Sequence, residues 1–99
     1  MQLFYREAGE GRPIVILHGL FGSSDNWMSV TKELALHYKA YVLDARNHGQ
    51  SPHAVIHNYT EMAADLKEFI DFHKIENPIL IGHSMGGKTI MRFAAEYPS

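Results

Sequence analysis

A chain of 99 residues with 45% hydrophobic, 11% aromatic and 20% charged side chains has the composition of one globular domain, which excludes a disordered segment. The formal net charge of -2 offers no basic patch to nucleic acid or to an anionic membrane surface, so we expect small or neutral partners. Because the chain has no cysteine, disulfides and a thiolate nucleophile are excluded, and a cytoplasmic location is expected.

The first predicted elements are two strands. Residues 2–7 form a short strand, residues 9–11 a glycine-rich turn, and the aliphatic residues 14–17 a buried strand. The first ten residues carry charged side chains and lack the apolar region of a signal peptide, and no later stretch is long enough to span a membrane. We therefore expect neither secretion nor membrane insertion.

A helix and a third strand follow. Ser23 or Ser24 is expected to cap this helix. One face of the helix carries apolar side chains at helical spacing, namely Trp27, Val30, Leu34 and Tyr38. Residues 41–43 are the next apolar strand, and residues 44–58 are predicted to form a loop.

The last part of the chain repeats this alternation. Thr60 is expected to cap a second helix, whose apolar face consists of Met62, Leu66, Phe69, Ile70 and His73. A strand at residues 79–81 and a helix from Met85 to Pro98 complete the chain. The order β-β-α-β-α-β-α predicts an α/β fold in a single domain of residues 1–99, with a mostly parallel sheet and helices on both faces.

Residues 82–86 read Gly-His-Ser-Met-Gly and come directly after the predicted strand at residues 79–81. A serine on a sharp strand-to-helix turn exposes its hydroxyl, and the flanking glycines allow the backbone to approach closely. A helix that begins at Met85 would direct free N–H groups and the positive end of its dipole at a developing oxyanion. Ser84 is therefore the candidate nucleophile.

Two other loops follow strands at the same expected edge of the sheet. Residues 18–22 read His-Gly-Leu-Phe-Gly, and residues 44–51 read Asp-Ala-Arg-Asn-His-Gly-Gln-Ser. With the turn at residues 82–86, they resemble three parts of the α/β-hydrolase family: the oxyanion loop, the D-x-R-G-H-G-x-S loop and the nucleophile elbow. The resemblance covers nearly the whole chain and is greatest to small cytoplasmic esterases that act on short acyl esters and thioesters. Asn47 stands where the family commonly has glycine, but asparagine tolerates left-handed backbone, so the loop path is expected to persist.

The resemblance implies a role for each residue of the site. Ser84 would be the nucleophile of an acyl-enzyme, and the backbone N–H groups of Leu20 and Met85 would form the oxyanion hole. The residues expected to shape the site are His18, Gly19, Gly82, His83 and Gly86. His18 is expected to hydrogen-bond its loop rather than to act as a base. The implied partner is a small acyl ester or thioester, with no cofactor.

The triad of this family follows the chain order Ser, then Asp or Glu, then His. After Ser84 the chain contains no histidine and one carboxylate, Glu96, which lies about 18 Å away along a helix that rises 1.5 Å per residue. We therefore expect the acid and the base to come from a C-terminal segment beyond residue 99 or from a second copy of the chain, and the 99 residues alone to be inactive. Activity of these residues alone would require a base from His18, His48 or His83.

This interpretation also has a consequence for the sheet. In the family's strand order, the strand at residues 79–81 is central and has a further parallel neighbour. Without that neighbour it becomes an apolar, uncharged edge, which is a template for pairing with another chain. The 99 residues are therefore expected either to be ordered beside a second segment that supplies the remaining strands or to self-associate.

Two alternative functions remain open. Residues 82–89 also satisfy the P-loop pattern, in which Lys88 would hold phosphates and Thr89 and Asp44 would hold magnesium. A P-loop usually begins its domain, however, and this interpretation leaves the other two loops without a role. The second alternative is a member of the hydrolase fold that binds or rearranges a ligand without net hydrolysis.

The remaining polar residues have structural interpretations. Asp44 and Arg46 are expected to tie their own loop together. His53 and His57 are four residues apart, but they follow Pro52 in a predicted loop and lack a third ligand, so no metal site is expected.

Overall fold

The computed structural model describes residues 1–19 and 22–97. In these residues the strands are β1 (Tyr5–Ala8), β2 (Arg12–Leu17), β3 (Tyr38–Leu43) and β4 (Ile79–Gly82). The helices are α1 (Met28–Leu34), preceded by a 3-10 turn at Ser24–Trp27, α2 (Tyr59–Phe72) and α3 (Met85–Glu96). The strand order is β1-β3-β2-β4; β1 is antiparallel to β3, and the other pairs are parallel. The predicted α/β fold with a mostly parallel sheet is therefore confirmed.

Both faces of the sheet are covered because alternate residues of β2 and β3 point to opposite sides. One face carries Val15 and Leu17, which pack with the apolar side of α2 and with half-buried residues of α3. The opposite face carries Ile14 and Ile16, which pack with Trp27 and the end of α1. Strands buried on both faces explain the continuous aliphatic run of β2.

The first strand begins later than predicted and ends later. The Phe4 N–H donates to Ser51 Oγ at 2.8 Å, and the Phe4 carbonyl accepts from the Asp44 N–H at 2.9 Å. Because these bonds join residue 4 to the loop after β3, the antiparallel ladder starts with Tyr5 opposite Leu43. The predicted boundaries at residues 2 and 7 were therefore wrong by a few residues at the start and one at the end.

The first helix is shorter than predicted, and its predicted caps are wrong. The N-cap of α1 is Trp27, without a side-chain hydrogen bond, so neither Ser23 nor Ser24 caps it. The Ser24 hydroxyl instead accepts from Arg6 Nε at 3.1 Å. At the other end, Tyr38 belongs to β3, because the parallel register with β2 begins there.

The predicted core face of α1 also needs a correction. Val30 is 46% exposed, whereas Thr31 is fully buried and its hydroxyl donates to the Trp27 carbonyl at 2.7 Å. A helix of seven residues packs against the sheet through few side chains, and the angle of approach decides which ones.

The second helix has the predicted apolar face but a different cap. Asn58 is the N-cap, and its side chain accepts from the Glu61 N–H at 2.8 Å, so the prediction of Thr60 was wrong. Asparagine is at least as good a cap as threonine, and the helix extends to include the residues after it. His73 lies at the C-cap, where its ring packs on Phe69 with centroids 4.4 Å apart.

The last helix begins at Met85 as predicted and ends at Glu96. Pro98, the predicted end, lies outside the described residues. None of the helices in residues 1–19 and 22–97 combines the length and the apolar composition needed to cross a bilayer.

Candidate active site

Three loops leave the sheet at one edge because three strands end level with one another. Leu17, the last residue of β2, is the register partner of Leu43 in β3 and of Gly82 in β4. The carboxyl ends of parallel strands are the usual place for functional groups in such sheets. The register therefore brings the loops that begin at His18, Asp44 and His83 together.

Ser84 has an unusual backbone at the junction of β4 and α3. Its φ is 53° and its ψ is -107°, and the residue is exposed. A non-glycine residue with positive φ is strained, and such strain persists only where the surrounding structure holds it. Ser84 is the N-cap of α3 but makes no side-chain capping bond. Its hydroxyl is therefore not used to cap the helix that follows.

Two glycines allow the turn to close. A Cβ at Gly82 would lie 2.5 Å from the backbone of Gly86 and Gly87, and a Cβ at Gly86 would overlap the Leu17 carbonyl. Gly86 therefore permits the first turn of α3 to rest on the end of β2. Met85, the first residue of α3, is buried. Its N–H lies in the first turn of the helix, where backbone N–H groups have no intrahelical carbonyl to bond.

The loop after β2 touches the serine turn. The His83 N–H donates to the Leu17 carbonyl at 3.1 Å, and a Cβ at Gly19 would lie 2.7 Å from His83 Nδ1. The His83 side chain is exposed. Leu20, predicted to contribute an oxyanion N–H, lies outside the described residues.

His18 is buried and both of its ring nitrogens are in hydrogen bonds. Nε2 lies 2.9 Å from the Ala45 N–H, which can only donate, so Nε2 accepts. Nδ1 lies 2.7 Å from the Gly19 carbonyl and therefore donates. Burial lowers the pKa of His18, partly opposed by the bond to the Gly19 carbonyl, and the neighbouring His48 also lowers it. The neutral ring links the loops after β2 and β3.

Asp44 links more of the molecule than its own loop. It is 2% exposed, and its carboxylate accepts from the Ser24 N–H at 2.6 Å and from the Gln50 N–H at 2.9 Å. The Asp44 carbonyl accepts from the Ser51 hydroxyl, which also accepts from the Phe4 N–H. The N-terminal segment, the loop after β2 and the loop after β3 thus meet at this one residue, through its carboxylate and its main chain.

Arg46 joins the loop after β3 to α2. Its Nε and terminal nitrogen donate to the two oxygens of Asp65 at 2.7 and 2.8 Å, and a third nitrogen donates to the Ile56 carbonyl at 2.9 Å. Both side chains are buried, and the bond to Asp65 raises the pKa of Arg46. Asp65 was not predicted from the sequence. An acidic residue three positions after Met62, on the apolar face of the predicted helix, was the available signal.

Asn47 has the left-handed backbone that the sequence predicted, with a φ of 64°. Its N–H donates to the Pro52 carbonyl at 3.0 Å, and its Oδ1 accepts from the Ala54 N–H at 2.7 Å. Its side-chain Nδ2 lies 3.1 Å from His57 Nδ1. The asparagine therefore does more than replace a glycine: its amide closes the following loop.

A cleft of about 300 Å³ lies beside Ser84. It is lined by His57, Asn58, Tyr59, Met62, Ser84, Met85 and Lys88. The start of α2 and the start of α3 form its two sides. His57 and Tyr59 were not predicted to belong to the site, because no local pattern relates them to residue 84. Lys88, four residues after Ser84, was considered only as a phosphate ligand in the P-loop alternative.

No hydrogen bond joins the Ser84 hydroxyl to a histidine or a carboxylate within residues 1–19 and 22–97. His18 is occupied by two backbone partners, and Glu96 pairs with Arg92 at 3.4 Å at the far end of α3. The described residues therefore supply a serine and a helix start, and none of their histidines or carboxylates is in hydrogen-bond contact with that serine.

The geometry does not favour the P-loop alternative. The Thr89 hydroxyl is buried and donates to the Met85 carbonyl at 2.9 Å, which removes it from a magnesium site. Both oxygens of Asp44 are occupied by backbone N–H groups. In the described part of the chain, no group of three or more histidine, aspartate or glutamate side chains is placed to hold a metal ion.

Comparison with known proteins identifies the class. The family described as alpha/beta hydrolase fold matches residues 12–99, and the chain belongs to that family. It is 48% identical over 91 residues to a probable alcohol acetyltransferase of Saccharomyces cerevisiae, and 46% identical over 96 residues to the sn-1-specific diacylglycerol lipase ABHD11 of Xenopus tropicalis. These matches cover 87% and 95% of the chain but 27% and 30% of the relatives, so the chain spans less than a third of their length.

A solved structure gives the same result. The chain is similar to a marine microorganism esterase, with 53% identity and a TM-score of 0.96 over 98% of this chain and 38% of that one. The sheet and the three loops described above are thus part of an α/β-hydrolase fold.

Proposed function

We propose that the protein is a serine hydrolase of carboxylic esters or thioesters, with Ser84 as its nucleophile. The observation that carries the proposal is the exposed Ser84 at a φ of 53°, on a strand-to-helix turn beside an open cleft. Strained residues with exposed hydroxyls at this position of the fold are typical of nucleophiles. Relatives and neighbours named lipase and esterase support the same class of reaction.

The reaction proceeds through an acyl-enzyme. Ser84 Oγ attacks the acyl carbon, its proton passes to a base, and the resulting oxyanion is stabilised by the N–H of Met85. The oxyanion then collapses and breaks the C–O or C–S bond, and the protonated base gives its proton to the departing alcohol or thiol, so that it can next take a proton from water. Water adds to the acyl-enzyme, and the carboxylic acid leaves while the serine regains its proton. Leu20 remains the proposed second oxyanion donor, with His18, Gly19, Gly82, His83 and Gly86 shaping the site.

We propose that the acid and base of the triad lie outside residues 1–99. Relatives about three times as long as the chain leave room for such a segment, and no described histidine bonds Ser84. A second copy of the chain is the other possible source. The expected cytoplasmic location belongs to the same proposal and is tested by cell fractionation.

The deciding experiment is labelling of the full-length protein with a fluorophosphonate, followed by peptide mapping. Label on Ser84 together with ester turnover supports the proposal. Turnover without label on Ser84 contradicts it, and so does a protein that is neither labelled nor active.

Transfer of the acyl group to an alcohol is the second candidate, because one relative is named probable alcohol acetyltransferase. The same acyl-enzyme would form, and an alcohol would replace water in its breakdown. Product analysis with ethanol present distinguishes the two: free acid indicates hydrolysis, and ethyl ester indicates transfer.

A further inference from the structure

The cleft beside Ser84 contains a histidine whose proton position is determined by its neighbours. His57 lines this cleft, and its Nδ1 lies 3.1 Å from Asn47 Nδ2. The amide oxygen of the same asparagine has a different partner: Asn47 Oδ1 accepts from the Ala54 N–H at 2.7 Å. Because a backbone N–H can only donate, the amide oxygen must face Ala54 and the amide nitrogen must face His57.

The orientation of the amide assigns the tautomer of His57. An amide NH2 only donates, so His57 Nδ1 accepts and the proton of the neutral ring is on Nε2. The ring therefore presents one polar group for other contacts, the Nε2–H donor. A ring in this state has no free lone pair with which to take the proton of Ser84. His57 is thus suited to bind a substrate atom and not to act as the base.

Asn47 is held firmly enough to impose this state. Its backbone N–H donates to the Pro52 carbonyl at 3.0 Å, and its φ of 64° is one that asparagine adopts more readily than most residues. Together with the bond from the Ala54 N–H to Oδ1, this fixes both the main chain and the side chain of Asn47. His48 packs on the His57 ring with centroids 5.8 Å apart, which limits rotation of the ring.

Other polar groups of the cleft add donors, and the hydroxyls of Tyr59 and Ser84 can donate as well as accept. Lys88 brings a positive charge, and Asn58 Oδ1 already accepts from the Glu61 N–H at 2.8 Å, which leaves its Nδ2 hydrogens as donors. No carboxylate is among the described residues that line the cleft. A cleft with several donors, a positive charge and no carboxylate is complementary to an anionic oxygen.

We propose that His57 is a specificity-determining residue that donates its Nε2–H to a carboxylate on the acyl chain of the substrate, with Lys88 supplying the charge and Asn47 positioning the ring. The substrate class is a half-ester or half-thioester of a short dicarboxylic acid. This inference rests on the proposed function of Ser84 and specifies its substrate.

The kinetic experiment compares two esters of equal shape on the full-length protein. The probes are para-nitrophenyl hemisuccinate and its apolar isostere, para-nitrophenyl isocaproate. We expect the wild type to have a higher kcat/KM for the hemisuccinate, and His57→Phe to lower the ratio of the two values on the order of tenfold, chiefly through KM. His57→Gln, which keeps a donor, should recover part of the ratio.

A matched control is available four residues earlier. His53 is exposed and does not line the cleft, so His53→Phe should leave the ratio at its wild-type value. The proposal is overturned if His57→Phe leaves the ratio of the two kcat/KM values unchanged while both esters are turned over. It is also overturned if His57→Phe and His53→Phe change that ratio equally.

A second measurement does not depend on catalysis. Nitrogen NMR of the Ser84→Ala protein should show the proton of neutral His57 on Nε2, and titration with methyl hemisuccinate should shift the His57 ring signals. Asn47→Asp, whose ionised side chain can only accept, should move the proton of the His57 ring to Nδ1. Asn47→Gly, which can adopt the same left-handed backbone, should remove the preference of the ring for either nitrogen. A wild-type proton on Nδ1, or no shift on titration, overturns the inference. If the tautomer and the shift are found but the wild type neither turns over esters nor is labelled at Ser84, the proposed function fails instead.

Discussion

At the scale of single residues, the backbone of Ser84 is the most informative feature. Positive φ at a non-glycine residue costs on the order of 1 kcal/mol or more, and the fold retains it without using the hydroxyl as a cap. The side chain thus contributes little to stability and is free for chemistry.

The first prediction concerns this side chain. In the full-length protein, we expect Ser84→Ala to lower kcat on the order of 10⁶-fold, as loss of a triad nucleophile does, and to change the free energy of unfolding by less than about 1 kcal/mol. Ester assays and urea unfolding measure the two quantities. Ser29→Ala, at an exposed serine of α1, is the control and should retain activity. Turnover by Ser84→Ala within tenfold of wild type would refute the assignment.

The second prediction follows from the buried His18 ring. Burial lowers its pKa in the folded protein, whereas in the unfolded chain it titrates near 6.5. Below that pH the unfolded state binds a proton that the folded state does not, so the free energy of unfolding decreases as the pH falls from about 6.5 to the folded pKa. We expect His18→Gln, which keeps a donor and an acceptor, to show a smaller decrease in urea unfolding across this range. Parallel curves for the two proteins would contradict the prediction.

At the scale of elements, the junction of β2, β4 and α3 is held by contact of backbone with backbone. Gly86 rests on the Leu17 carbonyl, while a Cβ at Gly87 would meet nothing closer than the Gly82 carbonyl at 3.5 Å. Gly86 therefore has no room for a side chain, whereas the adjacent Gly87 has room for a methyl group.

This difference provides the third prediction. Gly86→Val should abolish soluble expression or activity, because any side chain there displaces α3 from the end of β2. Gly87→Ala is the matched control and should fold with nearly wild-type activity, since its added methyl group has ordinary contact distance. Expression, thermal unfolding and ester turnover measure both variants. A fully active Gly86→Val protein would contradict the proposed turn.

The fourth prediction concerns the ion pair that joins the loop after β3 to α2. Arg46→Ala leaves the buried Asp65 with only the N-terminal amine, 3.8 Å away, as a positive partner, and we expect a loss of about 3 kcal/mol in the free energy of unfolding. The double change Arg46→Met with Asp65→Leu removes both charges and should recover a large part of that loss. Denaturant unfolding of the three proteins gives the comparison; a double variant less stable than Arg46→Ala would show that the charges themselves are required.

At the scale of the whole molecule, β1 and β4 are the two edge strands of the described sheet, and the side of β4 that faces away from β2 is open. β4 pairs with β2 on one edge, and no other strand within the described residues pairs with it. Next to it, Leu80 and Phe93 line a groove of about 600 Å³ between the sheet and the two longer helices. Unpaired apolar strands favour association with another chain.

The fifth prediction follows from this open side. Residues 1–99 expressed alone should self-associate and lack ester turnover, because β4 is unpaired on one side and no described histidine bonds Ser84. Sedimentation and an ester assay test both points. A monomeric, cooperatively folded and active preparation would contradict the prediction and would require a base from His18, His48 or His83.

The sequence by itself determined the order of elements, the strand-to-helix position of Ser84 and the left-handed backbone at Asn47. These features depend on local properties: apolar periodicity, the β preference of aliphatic runs and the conformations open to one side chain. The tertiary structure decided the features that depend on contacts between distant residues. Tyr38 belongs to β3 because it pairs with Arg12. Asp65 is buried because it pairs with Arg46, and His57 lies in the same cleft as Ser84 because α2 and α3 begin side by side. The sequence does not say which residues form such pairs, since their contact energy exists only after the chain has folded; at most, as for Asp65, it marks a charged residue on an apolar face.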